Sequence, residues 1–511
     1  MSRQQALESI TQHFDSGEFM QDLARRVAFK TESQIPESHP FLRSYLTDEI
    51  GPVLQQMGYE IQILDNPAGI AAPFLVARRI EDPVFPTVLT YGHGDVIRGL
   101  DSQWKAGLSP WKLTQVGDRY YGRGTADNKG QHSINIAALR TVLQTRGKLG
   151  FNSVFMIDTG EEIGSPGLHE FARRHRDLLK ADLLIGSDGP RLAPQTPTIF
   201  MGTRGALNFD LVVDLREGGH HSGNWGGLLA NPGVLLCHAI ASIIDAKGHV
   251  LARDILPERI PDSVRRALAD VVVDPGPDGP EINTWWGERG LTESEKVFAW
   301  NTFEVLAMST GNPERPVNAV PPRAKAHCQI RFTVDKDPLG FLPALRKHLD
   351  AHGFGTVQVV GPSHEIMNAT RLDPSHPAVQ WAVDSLTRTL GRKPAVVPNL
   401  GGSLPNDVFT DIIGVPTIWV PHSYASCSQH APNEHVLDFI IPAQQPPKKQ
   451  PSRPIDIPKR SPGAVASNMR PTGMSLTSDP TRRVPIATRT KPWIDMPLKS
   501  PVFFSSRCVT A

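Results

Sequence analysis

Short apolar segments alternate with helical segments between residues 74 and 186, and this alternation restricts the fold more than any other feature. The apolar segments have the length and composition of buried strands, and the segments between them have helical periodicity. The strand-like segments are 74–78, 87–91, 153–158 and 182–186, and the helical ones are 4–30, 43–57, 133–143 and 168–179. Buried strands that alternate with helices predict an α/β fold with a mostly parallel central sheet flanked by helices.

Residues 200–367 have a different pattern. Apolar and polar residues alternate along 206–214 and 325–334, as they do in strands with one exposed face. Two helices and a short strand complete the region, and they are 232–245, 341–352 and 357–360. The pattern predicts a smaller α+β unit. Because helical sequence resumes after this region, we expect 1–199 and 368–441 to form one domain into which it is inserted.

The composition argues against several classes of protein. No apolar run reaches the roughly 18–20 residues of a membrane span, so no membrane partner is expected. The N-terminus has no apolar signal segment. The four scattered cysteines argue against a disulfide framework and favour a cytoplasmic location. Residues 442–511 carry 12 Lys/Arg against 3 Asp/Glu, whereas the remainder has a net charge of −8 and gives no case for nucleic-acid binding.

Acidic and histidine side chains come directly after several predicted strands. These candidate residues are His93, Asp95, Asp127, Glu161, Glu162, Asp188 and, much later in the chain, His430. In open α/β sheets, sites form at the carboxyl ends of the strands, so we expect these side chains to meet. Together they offer metal ligands, a bridging carboxylate and a base, which points to metal-assisted amide hydrolysis.

The spacing of His93 and Asp95 suits a metal ligand and its partner. In an extended segment, side chains two residues apart point to the same face. His93 could then bind a metal ion through one ring nitrogen while Asp95 orients the other N–H. The alternative is a surface loop, because this spacing is common.

Asp127 lies in the segment Gly-Arg-Gly-Thr-Ala-Asp-Asn-Lys-Gly, which opens a helix. A carboxylate there could bridge two cations, and the alternative is an N-cap. Glu161 and Glu162 end an apolar strand. In an extended segment they would point opposite ways, so that one could ligate a metal ion and the other could face the attacking water. The alternative is a solvated loop pair.

The remaining two candidates also have ordinary alternatives. Asp188 stands between Ser187 and Gly189, where an Asp often forms a turn. His430 begins a His-Ala-Pro-Asn-Glu segment. The alternative for His430 is an ordinary loop residue, because a single histidine in a loop usually has no special role. The polar residues around His430 follow an apolar run, however, which suits the wall of a site.

Taken together and in this order, these segments resemble the signature segments of the M20 family of metallopeptidases. The family includes carnosinase-like dipeptidases, aminoacylases, acetylornithine deacetylase and succinyl-diaminopimelate desuccinylase. The resemblance implies that His93 and Asp188 bind one metal ion. It implies that Glu162 and His430 bind a second ion and that Asp127 bridges the two.

The resemblance also implies roles in catalysis. Asp95 would orient a metal-binding histidine, and Glu161 would be the general base and then the general acid. The segment His-His-Ser-Gly-Asn-Trp-Gly-Gly resembles one in which carnosinase-like members offer a histidine to the partner's active site. His221 is the better match to that histidine, and His220 stays possible. His221 could stabilise a developing oxyanion.

Substrate-binding positions are implied by the same resemblance. Asn318, in Pro-Val-Asn-Ala-Val-Pro, and Arg331, in Gln-Ile-Arg-Phe-Thr-Val, resemble positions that bind the substrate's backbone or carboxylate. Gly402 and Ser403 belong to a Gly-Gly-Ser-Leu-Pro loop whose backbone N–H groups can hold a carboxylate. The alternative for Arg331 is a surface arginine on a strand.

The carnosinase-like subgroup fits best. It implies a cytoplasmic, homodimeric, dinuclear metal-dependent hydrolase that cleaves dipeptides with a free carboxylate. The region 200–367 would be its lid and dimerisation domain. The ligands suit two Zn ions, with Mn or Co as alternatives. Two alternative functions stay open, an N-acyl-amino-acid deacylase and a catalytically impaired relative that binds metal or a partner.

The C-terminal sequence departs from the family. A helix that packs on the catalytic domain would begin at His435 and would meet Pro442. Thirteen of the last 70 residues are proline, and no helical or strand period is visible among them. We therefore expect 442–511 to be a disordered Pro/Arg-rich tail. It is either a genuine extension or the product of a reading-frame change in the gene, and we favour the second interpretation.

Overall fold

The computed structural model describes residues 3–276, 279–362 and 366–438. The predicted tail, 442–511, lies outside the described residues. The α-helices are α1 (Arg3–Asp15), α2 (Glu18–Ala28), α3 (His39–Ser44), α4 (Gly51–Gln56), α5 (Lys129–Arg146), α6 (Leu168–Arg174), α7 (Arg176–Leu179), α8 (Ser222–Trp225), α9 (Pro232–Ile243), α10 (Asp262–Leu268), α11 (Glu293–Phe298), α12 (Phe341–Ala351) and α13 (Pro377–Leu390). None of these described helices has the length and apolar composition that a bilayer crossing requires.

The strands group into one large sheet, one medium sheet and several small ones. They are β1 (Glu60–Leu64), β2 (Phe74–Arg79), β3 (Thr87–His93), β4 (Thr114–Val116), β5 (Arg119–Tyr121), β6 (Asn152–Asp158), β7 (Leu183–Gly186), β8 (Pro190–Arg191), β9 (Thr198–Phe200), β10 (Gly202–Thr203), β11 (Gly205–Asp214), β12 (His220–His221), β13 (Thr302–Thr310), β14 (Ala319–Val320), β15 (Arg323–Phe332), β16 (Gln358–Val360), β17 (Thr370–Arg371), β18 (Ala395–Val397), β19 (Thr417–Trp419), β20 (Ser423–Tyr424) and β21 (His435–Leu437).

The large sheet has eight strands in the order β1-β2-β6-β3-β7-β19-β9-β18. Its central strands, β6, β3, β7 and β19, run parallel to one another. Antiparallel pairings join β1 to β2, β2 to β6 and β19 to β9. The predicted α/β fold is confirmed, and the parallel strands form the centre of a mixed sheet. Their carboxyl ends therefore meet at one edge of that sheet.

Both faces of this sheet are covered by helices. Along β2, Phe74 and Val76 belong to one hydrophobic cluster, and Leu75 and Ala77 belong to another. Residues of α1, α2 and α5 pack in the second cluster, and residues of α6 pack in the first. This double burial explains why the strands read as continuous apolar runs.

Two of the predicted helices are interrupted. The predicted helix 4–30 is divided into α1 and α2, because Gly17 has the left-handed backbone conformation with φ +80°. The predicted helix 168–179 is divided into α6 and α7 at His175, which has φ −113° and ψ 28°. Helical periodicity continues across both breaks, so the apolar pattern alone did not reveal them.

The medium sheet lies in the predicted insertion and has the order β13-β15-β11-β16. All its pairings are antiparallel. The helices α9 and α12 pack on its apolar face. This is the predicted α+β unit, and its boundaries stay a prediction. Strand β13 was missed because most of its residues are exposed and its apolar residues do not alternate.

The helix predicted to begin at His435 is wrong. Residues 435–437 instead form β21, which pairs antiparallel with β5 in a three-stranded sheet. His435, Val436 and Leu437 are all buried there. Pairing with a strand more than 300 positions earlier overrides the local helical pattern.

Candidate metal centre

The predicted ligands gather where the central strands end. His93 is the last residue of β3, and it pairs in register with Asp158, the last residue of β6. Asp188 follows β7 by two residues. Glu161 and Glu162 form a single 3-10 turn after β6, so the extended geometry predicted for this pair is wrong. Both carboxylates nevertheless face the same cluster.

Three buried residues form the first group of possible ligands. His93 Nε2 lies 2.9 Å from Asp127 Oδ1 and 3.6 Å from Asp188 Oδ2. Asp188 Oδ2 is buried and has no hydrogen-bond partner among the described residues. An unpaired buried carboxylate oxygen is costly, and a cation would satisfy it.

The second group shares Asp127 with the first. His430 Nε2 lies 3.2 Å from Asp127 Oδ2 and 3.0 Å from Glu162 Oε2. The two oxygens of one carboxylate therefore face histidines of two different groups. In each group, one ligand atom per residue lies within 4.8 Å of the others. This arrangement has the form of two adjacent cation sites joined by a carboxylate.

Asp127 is not the N-cap of the following helix. Helix α5 begins at Lys129, and Asn128 occupies the N-cap position without a side-chain cap. The capping alternative is therefore wrong. Asp188 does have a turn-forming contact, because its Oδ1 accepts a hydrogen bond of 2.6 Å from Gly189 N, but its other oxygen is left for the cluster.

Glu161 lies beside the first group without belonging to either. Its Oε2 is 4.0 Å from His93 Nε2. Burial raises the pKa of Glu161 well above its ordinary value, and the carboxylates of Asp188 and Glu162 add to the effect. Glu161 is therefore a buried carboxylate at the edge of two possible cation sites.

Asp95 connects the two strand ends. Its backbone carbonyl lies 3.1 Å from His93 Nδ1, and its Oδ1 lies 3.3 Å from the same nitrogen. The same carboxylate accepts hydrogen bonds from Glu161 N, at 3.2 Å, and from Glu162 N, at 3.0 Å. Asp95 therefore fixes both the imidazole and the 3-10 turn, which is a wider positioning role than the predicted one.

The electrostatics of the cluster suit cations. Burial raises the pKa of Glu162 to about 7 and that of Asp188 to about 7, and the neighbouring Asp127 adds to both shifts. Hydrogen bonds to Asp127 and Glu162 raise the pKa of His430 to about 11. These shifts express an excess of buried negative charge, which divalent cations would neutralise.

A buried ion pair missed by the sequence analysis supports Asp127. Arg123 Nη1 donates to Glu434 Oε2 at 2.7 Å, and both side chains are 1% exposed. Glu434 Oε1 accepts from Ala126 N at 2.9 Å and from Asp127 N at 3.0 Å. Both partners lie in the quoted motif segments, but 311 positions separate them, so local patterns did not pair them.

The predicted catalytic histidine of the insertion lies in an exposed segment. His221 ends β12, and its Nδ1 accepts a hydrogen bond of 3.1 Å from Gly223 N. The backbone of Asn318 accepts one of 2.8 Å from Ser222 N, so His221 and Asn318 are neighbours. Within the described ranges, no recorded hydrogen bond or ion pair joins either of them to the metal cluster.

The other substrate-binding candidates form a separate contact. Arg331 Nη1 donates to Ser403 Oγ at 2.8 Å, and Arg331 Nε donates to Gln329 Oε1 at 2.8 Å. Ser403 Oγ donates in turn to the carbonyl of Arg204 at 2.6 Å. Arg331 is therefore a fixed, partly buried side chain. Gly402, in the same loop as Ser403, is exposed.

The fold and the cluster define a class, that of mixed α/β proteins with paired carboxylate–histidine groups able to hold two cations. The family model for peptidase family M20/M25/M40 matches residues 89–443. The chain therefore belongs to the M20/M25/M40 family of peptidases, as the motif segments predicted.

Relatives of known name support this membership. The chain is 32% identical to the Beta-Ala-His dipeptidase of Mus musculus over 50% of this chain and 54% of that one. The chain thus spans about half the length of the Beta-Ala-His dipeptidases that it matches. It is 25% identical to the Cys-Gly metallodipeptidase DUG1 of Saccharomyces cerevisiae over 84% of this chain and 94% of that one.

A solved structure gives the same result. The M20 family metallo-carboxypeptidase Sso-CP2 from Sulfolobus solfataricus has a TM-score of 0.68 and 25% sequence identity to this chain. The match covers 82% of this chain and 95% of the other. The similarity therefore covers most of both chains.

Proposed function

We propose that this chain is a dinuclear metal-dependent hydrolase that cleaves the amide bond of dipeptides with a free carboxylate. The observation that carries the proposal is the position of Asp127. Its two carboxylate oxygens face His93 and His430, which belong to different ligand groups. A bridging carboxylate between two neighbouring ions is what a dinuclear centre requires.

The donor set fits two divalent cations. His93 and Asp188 would hold one ion, Glu162 and His430 the other, and Asp127 both. The unpaired Asp188 Oδ2 supports this assignment, because a ligand bond would satisfy it. Imidazole and carboxylate ligands suit Zn, with Mn or Co as alternatives.

The residues around the centre have complementary tasks in the reaction. Two divalent cations, when bound, supply positive charge that polarises the scissile carbonyl and lowers the pKa of the attacking water. Glu161 accepts the proton of that water and passes it to the leaving amine. Asp95 keeps the imidazole of His93 and the turn that carries Glu161 in fixed positions.

The substrate is held at its carboxyl end in this proposal. Arg331 and Ser403, which contact each other, would bind the free carboxylate together with the backbone at Gly402. Asn318 would bind the substrate backbone. Dipeptides are the favoured class because the named relatives are a Beta-Ala-His dipeptidase and a Cys-Gly metallodipeptidase.

The proposed assembly is a homodimer. Strand β13 is the edge of the medium sheet, and in the described part of the chain it pairs only with β15. Its side chains Val305, Leu306 and Met308 are exposed apolar groups. An exposed apolar edge strand supports pairing with a second copy. In such a dimer, the exposed His221 would act in the partner's active site and stabilise the developing oxyanion.

Release of amino acids from a mixed panel tests the proposal. The full chain is stripped with a chelator, reloaded separately with Zn²⁺, Mn²⁺ or Co²⁺, and given dipeptides, their C-terminal amides and N-acetyl amino acids. We expect metal-dependent cleavage of the free dipeptides, weak cleavage of the amides and two ions per chain by elemental analysis.

Other outcomes identify the alternatives. Cleavage of N-acetyl amino acids in preference to dipeptides would assign a deacylase. Folded, metal-loaded protein that turns over no panel member would contradict the hydrolase proposal and leave a relative that only binds metal. The variant Asp127→Asn is the comparison for metal content. It keeps the size of the side chain and removes the negative charge that is proposed to bridge the two ions.

A further inference from the structure

A cavity lies in the region predicted as the insertion. Its volume is about 390 Å³, and it is lined by the start of β13, the segment around Val250 and the residues Trp286 and Trp300. None of the candidate metal ligands or predicted substrate-binding residues lines it. The volume falls within the range of roughly 300–1,000 Å³ that is usual for small-molecule sites.

One wall of the cavity carries the buried side chain of Arg204, which forms no ion pair with a carboxylate of the described residues. Arg204 is 8% exposed. Its Nε donates to Gly401 O at 2.9 Å and its Nη1 donates to Trp300 O at 3.4 Å, so its recorded contacts are with backbone carbonyls. No carboxylate of the described residues pairs with it within 4.0 Å. Burial lowers the pKa of Arg204 to about 10, the neighbouring Arg331 adds to this shift, and the charge of Glu304 opposes it. A buried charge of this kind favours an anionic partner.

An unused donor lies on the same wall. Trp300 is 7% exposed, and its indole Nε1 is buried with no hydrogen-bond partner among the described residues. Because the backbone of Trp300 already accepts from Arg204, the guanidinium and the indole belong to adjoining parts of the lining. Buried donors in folded proteins nearly always have a partner, so an acceptor from a ligand is indicated.

The lining also carries Lys296 and three carboxylates, those of Glu288, Glu293 and Glu304. Glu288 Oε1 accepts from Arg253 Nη1 at 2.9 Å, whereas the buried Glu288 Oε2 has no hydrogen-bond partner among the described residues. Lys296 Nζ donates to Trp286 O at 2.9 Å, and Glu293 and Glu304 are exposed. Arg204 is the most deeply buried charged group of this wall, and no carboxylate of the described residues lies within 4.0 Å of it.

The rest of the lining is apolar. Val250 and Phe303 are buried, Val297 is partly buried, and Trp286 is 42% exposed. Apolar walls of this kind bind the body of a ligand, and a few polar groups fix its orientation. The site thus combines one anion-binding end with an apolar interior.

We propose that this cavity binds a small carboxylic acid with a branched or aromatic apolar body, with its carboxylate against Arg204 and Trp300 Nε1. The site is separate from the candidate metal centre, and the proposal does not depend on the proposed hydrolysis. A free apolar amino acid belongs to this class, as does a simple branched fatty acid.

Calorimetric titration of the metal-loaded full chain with 4-methylpentanoate tests the proposal, with 4-methylpentanamide as the uncharged control. We expect the acid to bind and the amide to bind at least tenfold more weakly, because Arg204 requires an anion. Trp300→Phe keeps an aromatic ring and removes the donor, so it should weaken binding of the acid about fivefold. Arg331→Gln, which alters the predicted substrate site and removes a charge near Arg204, should weaken binding of the acid less than Trp300→Phe does.

Four results would overturn the proposal. Two of them are the absence of binding at millimolar acid and equal binding of acid and amide. Loss of binding in Arg331→Gln but not in Trp300→Phe would assign the acid to the predicted substrate site. Loss of binding on chelation would assign it to the candidate metal centre. If Trp300→Phe does not fold, Trp286→Ala at the half-exposed mouth replaces it, with the same expected weakening.

Discussion

The metal cluster and the exposed segment of the insertion differ in how completely one chain builds them. In the cluster, Asp95 and Glu434 accept hydrogen bonds from backbone groups beside the ligands, and the supporting side chains are buried. His221 and Asn318, in contrast, are exposed. The cluster is therefore held in place within one chain, whereas in the proposed dimer the exposed segment would be completed by the partner.

Among the variants that test this comparison, Glu161→Gln has the largest expected effect on activity. If the cluster is complete within the chain, the variant should bind metal normally and lose only the proton transfer. We expect kcat for dipeptide hydrolysis to fall by about 10²–10⁴-fold. Steady-state kinetics and elemental analysis of the same preparation measure both quantities.

The control for this variant is Glu170→Gln on α6, which removes an exposed carboxylate that pairs with Arg174. It should leave kcat unchanged. A Glu161→Gln enzyme that loses its metal ions together with its activity would mean that Glu161 is a ligand rather than the base.

The same comparison explains what the sequence could predict. His93, Asp188 and the Glu161–Glu162 pair end or follow buried strands, so apolar runs and motif spacing were sufficient to predict where these candidates lie, whereas Asp127 precedes α5 and His430 lies in a loop. The carboxyl ends of parallel strands then brought them together. Local pattern and tertiary structure agree in this region because both faces of the sheet are buried.

The unpredicted features depend on distant or exposed partners. The ion pair of Arg123 and Glu434 joins two loops far apart in sequence, and β21 forms only because β5 is available to pair with it. Strand β13 has exposed apolar residues and therefore lacks the alternation that indicates a strand. Arg204 lies between β10 and β11, in a segment without any motif. None of these features has a local periodic signal.

A mixture of two inactive variants tests whether the exposed segment acts in a partner. His221→Ala alone should lower kcat by about 10²–10³-fold, because one oxyanion donor is lost. If His221 acts across the dimer, subunit exchange with Glu161→Gln creates one complete site in each mixed dimer. An equal mixture should then recover about one quarter of wild-type activity, since random assortment makes half of the dimers mixed.

His220→Ala is the matched control, because His220 is the adjacent residue and the alternative candidate. It should retain activity. If His220→Ala loses activity and His221→Ala stays active, the roles assigned to the two histidines must be exchanged. A mixture that stays inactive although mass measurement detects mixed dimers would show that His221 acts within its own chain or not at all.

Glu434→Gln tests the preorganisation of the cluster itself. The change leaves Arg123 buried without its ionic partner and weakens the support of the Asp127 backbone. We expect metal affinity to fall by about 10–100-fold, as is typical when a group that positions a ligand is altered. Competition with a chelator of known affinity measures this change.

The control for Glu434→Gln is Glu49→Gln, which breaks another buried ion pair, that of Glu49 with Arg26. Both variants should lower the thermal midpoint, because each leaves a buried arginine unpaired. Only Glu434→Gln should weaken metal binding. Equal losses of metal affinity in the two variants would indicate general destabilisation rather than support of Asp127.

Arg331→Lys gives the smallest expected effect and separates substrate binding from catalysis. Lysine keeps the positive charge but cannot make the paired contacts that Arg331 makes with Ser403 and Gln329. We therefore expect KM for dipeptides to rise about tenfold while kcat changes little, because the lost interaction is present in both the bound substrate and the transition state. C-terminal dipeptide amides should lose this sensitivity, since they carry no carboxylate.

Arg371→Lys, which alters an arginine that pairs with Asp335, is the control and should leave KM unchanged. A fall in kcat without a rise in KM would mean that Arg331 acts at the reacting centre rather than in carboxylate binding. The metal cluster and the contact that holds the substrate would then no longer be separate parts of the site.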